Sequence, residues 1–200
     1  GLGGLPDQSA GMGIDMSQRV AMFEDSLAIM RQLWAGETVS HDRFWHLENA
    51  HIAPLPAQDI EVWIGATAPA AINRTARLAE GWLGTPSATP QQAKEQLNQY
   101  RQACAEHQRT PSAVALRRDI FIAGSVNEAE AFRSHAVAKG YRGFPEEALI
   151  CGDVSQVAAQ FAEFSEAGFT DIVVRNMSSD QGQALATIEA LSDVRRQLNL

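Results

Sequence analysis

Residues 62–69 read Val-Trp-Ile-Gly-Ala-Thr-Ala-Pro, and this stretch decides the class of fold. Residues 61–64 predict a short strand that ends at Gly65. A helix is predicted over residues 69–79, since its first residue is proline and a glycine follows its end. A short strand that passes directly into a helix is typical of α/β domains.

The turn between this strand and this helix, Gly65-Ala66-Thr67-Ala68, has the features of a phosphate-binding site. Gly65 and Ala66 carry little or no side chain, so a ligand can approach the backbone closely. The start of a helix offers unpaired N–H groups and a partial positive charge, and Thr67 adds a hydroxyl. The residues alone also allow a plain turn in which Thr67 caps the helix. The segment is neither a P-loop, because no Gly-Lys-Ser/Thr follows, nor a Rossmann fingerprint.

The alternation of strand and helix continues along the chain. Further strands are predicted at residues 82–83, 119–123 and 171–174; caps at Asp15 or Ser17, Thr89, Ser125 and Asp153 start four helices, and a last helix covers residues 180–198. Residues 37–60 form an excursion with a strand-like stretch at 43–47, and residues 141–151 are expected to be irregular. The strands are apolar on both faces, as in a parallel sheet covered by helices. Residues 1–200 are therefore predicted to form a single α/β domain.

In such folds, ligands bind at the loops that follow the carboxyl ends of the strands. Four predicted loops of this kind begin at Gly65, Gly84, Gly124 and Arg175. Arg175 follows an apolar strand, so its side chain is expected to point into the mouth of the fold. There it could hold an anionic group on a cofactor or a substrate. A salt bridge at the end of the sheet is the alternative.

The overall composition argues against several classes of function. The chain has 200 residues, of which 45% are hydrophobic, so it can bury a core. A net charge of −8 without any basic stripe argues against binding to nucleic acid or to an anionic membrane surface. No apolar run reaches the length of a membrane span. Cys104 and Cys151 fit neither a disulfide framework nor a zinc motif, so a reducing cytoplasm is expected.

Catalytic and metal-binding residues are not evident in the sequence. His41, His46 and His51 recur at intervals that neither a helix nor a strand places on one face. A metal site would need this segment to fold back on itself, and no metal is expected. No Gly-x-Ser-x-Gly occurs, and Cys151 lacks a Cys–His context, so nucleophilic catalysis is not predicted.

Several segments, taken in order, carry a resemblance to one family. Residues 19–36 match a long helix, residues 33–44 the pattern LWxGExV…F, residues 54–65 PxPxQ…PxWIGG, residues 74–82 RAARxGDGW, and residues 152–171 a last strand–helix repeat. Over nearly its whole length the chain resembles the luciferase-like, flavin-dependent monooxygenases and reductases. It departs from their pattern at Ala66, where a second glycine is usual, and at Glu80, where aspartate is usual.

The resemblance implies the C-terminal half of a (β/α)8 TIM-type barrel, with a flavin at the carboxyl-terminal face of its strands. It also implies that the turn at residues 65–68 holds the flavin phosphate. Strands that carry much of the flavin-ring and substrate pocket are expected to precede Gly1, and the glycine-rich residues 1–4 are expected to follow one of them. Four strands cannot close an eight-stranded barrel, so we expect either a piece of a longer protein or two associating half-barrels.

The implied function is that of a flavin-dependent oxidoreductase, a monooxygenase that uses reduced FMN and oxygen on a small organic substrate. One alternative is hydride transfer with a deazaflavin coenzyme. A non-catalytic flavin-binding half-barrel is a second, and a non-flavin barrel that binds a phosphosugar in the same turn is a third. The expected partners are a small-molecule substrate, a flavin reductase and a second copy of the chain.

Overall fold

The structure is a computed structural model that describes residues 6–12 and 15–199. The chain forms two compact units, Gly1–Glu61 and Val62–Leu200. The glycine-rich turn predicted at residues 1–4 lies outside the described residues. No helix among the described residues combines the length and the apolar character needed to cross a membrane.

The first unit consists of helices followed by a β-hairpin. Its elements are α1 (Pro6–Gly11), a 3-10 turn (Met16–Gln18), α2 (Arg19–Trp34), β1 (Val39–His41) and β2 (Leu47–Ala50). The Asp15 carboxylate accepts a 2.8 Å hydrogen bond from the Ser17 N–H, so it caps the start of the helical segment as predicted. Gly36 follows the end of α2 with a left-handed φ of +82°, a conformation that favours glycine.

The hairpin differs from the sequence prediction. The prediction of a strand at residues 43–47 is wrong. Residues 43–46 form the bend between two antiparallel strands, and only Leu47 belongs to a strand. The rings of Phe44 and Trp45 contact each other with centroids 5.7 Å apart. The aromatic residues that suggested a strand therefore pack their side chains at the turn instead of pairing their backbone.

The second unit alternates strands and helices along the chain, which confirms the predicted α/β class. Its elements are β3 (Trp63–Gly65), α3 (Pro69–Leu78), β4 (Gly81–Gly84), α4 (Pro90–Glu106), β5 (Ala113–Ile122), α5 (Val126–Ala138), two 3-10 turns (Tyr141–Gly143 and Glu146–Ala148), β6 (Leu149–Gly152), α6 (Val154–Ala167), β7 (Asp171–Asn176) and α7 (Gln181–Gln197). Capping boxes are predicted at Thr89, Ser125 and Asp153, and they form at the start of α4, where Thr89 pairs with Gln92, and of α6, where Asp153 pairs with Gln156. At the start of α5 the Ser125 hydroxyl accepts from the Glu128 N–H, but the Glu128 carboxylate accepts from the Gly124 N–H instead of that of Ser125.

The described strands of this unit pair in parallel around β5. Leu116 pairs with both β4 and β7, so these two strands lie on opposite edges of β5. Asp119 pairs with both β6 and β7, so β6 follows β4 along the same edge. β3 pairs with the outer edge of β4. The predicted parallel sheet is therefore confirmed.

Two strands differ from their sequence prediction. β5 begins at Ala113 rather than at Asp119, because Arg117 and Arg118 interrupt its apolar pattern without ending the strand. The segment at residues 141–151, expected to be irregular, ends in β6. This strand has four residues, all buried, and so lacks the alternation by which a half-exposed strand is recognised.

Alternate residues of a strand face opposite sides of the sheet. One face packs on helices, and its buried core includes Ile72, Trp82, Leu97, Tyr100, Leu116, Ile120, Phe161, Phe164 and Val194. The opposite face, which we call the second face, carries Trp63, Leu83, Arg117, Asp119, Val173 and Arg175 at laterally paired positions. Helix α5 covers the carboxyl end of the second face, where the rings of Phe121 and Phe132 stack with centroids 3.7 Å apart.

Candidate functional site

The turn at residues 65–68 connects the carboxyl end of β3 to the start of α3. Ala66 is buried, and its carbonyl accepts a 2.9 Å hydrogen bond from the indole N–H of Trp82, which is itself fully buried. Thr67 and Ala68 are exposed. The indole therefore anchors the first half of the turn from the core and leaves the second half open to solvent.

Helix α3 starts without a side-chain cap. Its N-cap is Ala68, with φ of −73° and ψ of 144°, and no side chain among the described residues caps it. Thr67 therefore does not cap the helix. The alternative of a plain turn required this cap, so the structure does not favour it. Pro69 has no N–H group and the Ala71 N–H is bonded to the Ala68 carbonyl, so in the first turn Ala70 offers the N–H group that has no described partner. Together with the partial positive charge of the helix start, this donor suits a phosphate oxygen.

Glycine at position 65 is not required by the packing of the fold. Among the described residues outside its immediate neighbours, a Cβ atom there would meet only the Leu83 carbonyl oxygen, at an ordinary distance of 3.8 Å. Gly65 is also exposed. Glycine at this place therefore keeps the backbone accessible to a ligand rather than relieving a clash inside the protein.

A cleft with a volume of about 250 Å³ lies beside the turn. Its lining residues are Thr67, Pro69, Thr85, Ser87, Ala88, Gln92, Glu95, Gln96 and Gln99. The hydroxyl oxygens of Thr85 and Ser87 lie 3.0 Å apart in the loop after β4. The sequence prediction named the loop that begins at Gly84 but gave these hydroxyls no role. Their position directly after β4, the strand beside β3, is the sequence signal that could have indicated a role for them in the site.

Arg118 lies directly behind the wall of this cleft. Its side chain is buried, and one guanidinium nitrogen donates to the Ala88 carbonyl at 2.9 Å and to the Pro86 carbonyl at 3.4 Å. The guanidinium carbon lies 4.7 Å from the centre of the Phe164 ring. Burial lowers the pKa of Arg118 to about 10, so the group stays charged at neutral pH. Among the described residues, no carboxylate forms an ion pair with it.

Arg175, the other predicted anion-binding residue, lies elsewhere on the sheet. It belongs to β7, where it is exposed and pairs laterally with Asp119 of β5. β4 and β5 separate β7 from β3, which at about 4.8 Å per strand interval corresponds to about 14 Å. The structure therefore does not bring Arg175 together with the turn at residues 65–68 around one phosphate. A cofactor contact of Arg175 stays a prediction.

A second polar cluster, absent from the sequence prediction, surrounds Asp119. This carboxylate is fully buried, and its Oδ2 accepts hydrogen bonds from the Tyr141 hydroxyl and from Arg142 Nη1, both at 2.9 Å. Its Oδ1 accepts from Arg117 Nη2 at 3.2 Å. We call Asp119, Arg117, Tyr141 and Arg142 the Asp119 cluster. The signal in the sequence was a carboxylate within an apolar strand, since a buried charge needs partners.

Burial raises the pKa of Tyr141, and the hydrogen bond to Asp119 raises it further. The Tyr141 hydroxyl therefore stays protonated and donates to the carboxylate at neutral pH.

The histidines of the first unit have separate partners. His41 Nε2 lies 3.4 Å from Asp25 Oδ2, His46 contacts Asp42, and His51 Nδ1 lies 3.4 Å from the Asn49 carbonyl. Within residues 6–12 and 15–199, no three side chains of His, Cys, Asp or Glu come together as metal ligands.

The Cys151 thiol is buried beneath α5. Burial raises its pKa to about 11, so it is protonated at neutral pH and lacks the thiolate that nucleophilic catalysis requires. Its sulfur lies 3.8 Å from the Met177 sulfur. The thiol belongs to a small hydrophobic cluster rather than to a reactive site.

Comparison with protein families gives a match to the model described as luciferase-like monooxygenase, over residues 1–148. This chain belongs to the luciferase-like monooxygenase family. The resemblance inferred from the ordered sequence segments is confirmed, and it extends across both compact units.

Two curated relatives of this luciferase-like chain are oxidoreductases by name. An F420-dependent glucose-6-phosphate dehydrogenase of Microbacterium testaceum (strain StLB037) is 32% identical over 81 residues, which is 40% of this chain and 24% of that protein. A phthiodiolone/phenolphthiodiolone dimycocerosates ketoreductase of Mycobacterium bovis (strain BCG / Pasteur 1173P2) is 29% identical over 173 residues, covering 82% of this chain and 44% of that protein. The chain therefore spans less than half the length of these relatives.

Solved structures share the fold. A monooxygenase from Streptomyces bottropensis has a TM-score of 0.80 at 19% identity and covers 99% of this chain, which matches 67% of that structure. An F420-dependent secondary alcohol dehydrogenase, solved with an F420–acetone adduct, has a TM-score of 0.68 at 17% identity, with coverage of 88% and 62%. At these identities the likeness concerns the fold alone, and it confirms the predicted partial TIM-type barrel.

Proposed function

We propose that the protein carrying this luciferase-like chain is a flavin-dependent monooxygenase that acts on a small organic substrate. The observation that carries the proposal is the turn at residues 65–68, which leads into the uncapped start of α3 beside a cleft lined by hydroxyl groups. The luciferase-like family supplies the chemical class. When bound, reduced FMN would supply electrons for the activation of oxygen.

The residues of this turn fit a phosphate monoester. The exposed Gly65 backbone admits close approach, and the hydroxyls of Thr67, Thr85 and Ser87 can donate to phosphate oxygens. The buried charge of Arg118 adds a favourable field from behind the cleft. The chain's own contribution is thus to bind and orient the cofactor.

A deazaflavin coenzyme is the second candidate. It is favoured by the similarity to an F420-dependent glucose-6-phosphate dehydrogenase. Both cofactors carry a phosphate that the turn would hold, so the turn does not discriminate between them. A flavin reductase and a homodimeric assembly, expected from the resemblance, belong to this proposal as well.

Replacing Gly65 with valine tests the phosphate site. The Cβ atom that valine adds meets the Leu83 carbonyl oxygen at an ordinary 3.8 Å, while the side chain blocks the approach to the backbone, so we expect FMN affinity to fall by at least about tenfold, or about 1.4 kcal/mol. Fluorescence quenching of FMN, and separately of a deazaflavin, by the whole protein measures the affinity. Circular dichroism checks that the variant is folded.

Gly124→Val provides a matched control. Gly124 is another exposed glycine after a strand, with the nearest atom to an added Cβ at 3.7 Å. This variant should bind the cofactor as the wild type does. A folded Gly65→Val protein with unchanged affinity would contradict the phosphate assignment. Oxygen uptake with reduced FMN would then separate a monooxygenase from a deazaflavin-dependent enzyme.

A further inference from the structure

The Asp119 cluster lies on the second face, toward the carboxyl ends of the strands. β4 ends at Gly84, which pairs with Leu116, so Arg117 and Asp119 stand beyond the end of β4. Tyr141 and Arg142 reach the same carboxylate from the 3-10 turn that follows α5. In parallel α/β folds this is the end of the sheet where ligands bind.

Arg175 adds a third guanidinium group to this place. It pairs laterally with Asp119, so the two side chains leave the sheet on the same face. Among the described residues, no acceptor forms a hydrogen bond or an ion pair with Arg175. Asp171 also faces this side of the sheet but lies at the opposite end of β7, where it accepts a hydrogen bond from Thr170.

The donors of this group outnumber its acceptors. Each guanidinium carries five N–H donors, while the single carboxylate of Asp119 binds one nitrogen of Arg117 and one of Arg142. The Arg117 and Arg142 side chains are 28% and 37% exposed, and Arg175 is exposed, so their remaining donors are accessible. The fully buried Asp119 therefore orients two arginines but balances only one positive charge.

The backbone of Arg142 also indicates a preset geometry. Its φ of 48° and ψ of 15° lie in the left-handed region, which residues other than glycine rarely adopt. Such a conformation persists only where surrounding contacts hold it, and the bond to Asp119 is such a contact. The guanidinium of Arg142 is thus oriented before any ligand arrives.

We propose that Arg117, Arg142 and Arg175, organised by Asp119, bind the anionic group of the substrate, a carboxylate, sulfonate or phosphate. Planar guanidinium groups bind such oxyanions through paired hydrogen bonds. The cofactor phosphate is assigned to the turn after β3, which β4 separates from Arg117 on β5, and which β4 and β5 separate from Arg175 on β7. This inference rests on the proposed function, because it names the class of substrate.

Titration calorimetry of the whole protein with inorganic sulfate, at low ionic strength, tests the site. The double variant Arg142→Gln/Arg175→Gln is expected to lower sulfate affinity by at least about tenfold. The single variant Arg175→Gln leaves every described hydrogen bond of Asp119 intact, and it is expected to lower affinity by at least about threefold. The double variant Arg195→Gln/Arg196→Gln, in α7, changes the net charge equally and should bind sulfate as the wild type does.

Three outcomes would overturn the inference. They are unchanged sulfate affinity in both Arg175 variants, an equal loss in the α7 control, and loss of sulfate binding in Gly65→Val. Repeating the titration with saturating FMN separates the two possible sources of the anion, because a cofactor that uses these arginines would displace sulfate. Failure of FMN to bind the wild type would defeat the proposed function but leave the sulfate measurement intact.

Discussion

At the scale of single residues, the turn at residues 65–68 depends on one indole. Trp82 is fully buried, and its N–H reaches the carbonyl of Ala66 from the neighbouring strand. A buried carbonyl needs a donor, since leaving it unpaired costs about 1–3 kcal/mol. The position of the turn relative to the sheet therefore follows from Trp82, whereas its openness to a ligand follows from Gly65.

Trp82→Phe should destabilise the second unit and weaken cofactor binding together. The change leaves the Ala66 carbonyl without its donor and opens a gap in the core, so we expect a loss of about 2–4 kcal/mol in the free energy of unfolding. Urea denaturation measures the loss. Trp34→Phe removes the same atoms from a half-buried tryptophan in α2, so we expect a smaller loss in the free energy of unfolding. Equal costs for the two variants would contradict an anchoring role of the indole.

At the scale of elements, Arg118 ties β5 to the loop between β4 and α4. A buried guanidinium without a carboxylate partner is costly to desolvate, and its bonds to the carbonyls of Pro86 and Ala88 offset part of that cost. We therefore expect Arg118 to have a small net effect on stability and a larger effect on the order of the loop. The loop carries Thr85 and Ser87, two of the hydroxyls that line the cleft.

Arg118→Met should change the free energy of unfolding by less than about 1 kcal/mol, because relief of desolvation compensates for the lost hydrogen bonds. Amide hydrogen exchange over residues 85–88 should become several-fold faster, since the loop loses its attachment to β5. Mass spectrometry of exchanged peptides measures this. Exchange rates that match the wild type would show that the loop holds its position without Arg118.

At the scale of the whole molecule, alkaline pH should lower the stability of the fold through its buried tyrosine and cysteine side chains. Burial raises the pKa of Tyr100 far above its ordinary value, and the nearby Cys104 raises it further. The pKa values of Cys104 and Cys151 are also raised by burial. The unfolded chain therefore loses these protons at lower pH than the folded protein does. Stability is fully present below the unfolded-state pKa values and decreases as pH rises above them.

We expect the free energy of unfolding to decline above about pH 9 as the thiols of the unfolded chain ionise, and more steeply above about pH 10 as Tyr100 follows. Each group contributes a slope of up to about 1.4 kcal/mol per pH unit. Tyr100→Phe should flatten the decline above pH 10 without loss of stability at neutral pH, because the buried Tyr100 hydroxyl has no hydrogen-bond partner among the described residues. Urea titrations at a series of pH values provide the test, and an unaltered decline would contradict it.

Local sequence patterns predict the features of the molecule that depend on contacts between residues close together in the sequence. The caps at Asp15, Thr89 and Asp153 act over two or three residues, so they are readable without a structure. The turn at residues 65–68 is likewise a local combination of strand end, small residues and proline. The structure divides the chain into two compact units, and the prediction that residues 1–200 form one barrel domain stays a prediction.

The sequence by itself determined the α/β alternation, the family and the position of the turn at residues 65–68, because periodicity, capping and motif order are properties of consecutive residues. Only the tertiary structure decided the cleft wall, where Arg118 reaches a carbonyl 30 residues earlier, and the Asp119 cluster, whose Arg142 lies 23 residues from the carboxylate. The tertiary structure also separated Arg175 from the turn. Register and strand order set which distant side chains meet, and pairing across a parallel sheet leaves no periodic trace in the sequence.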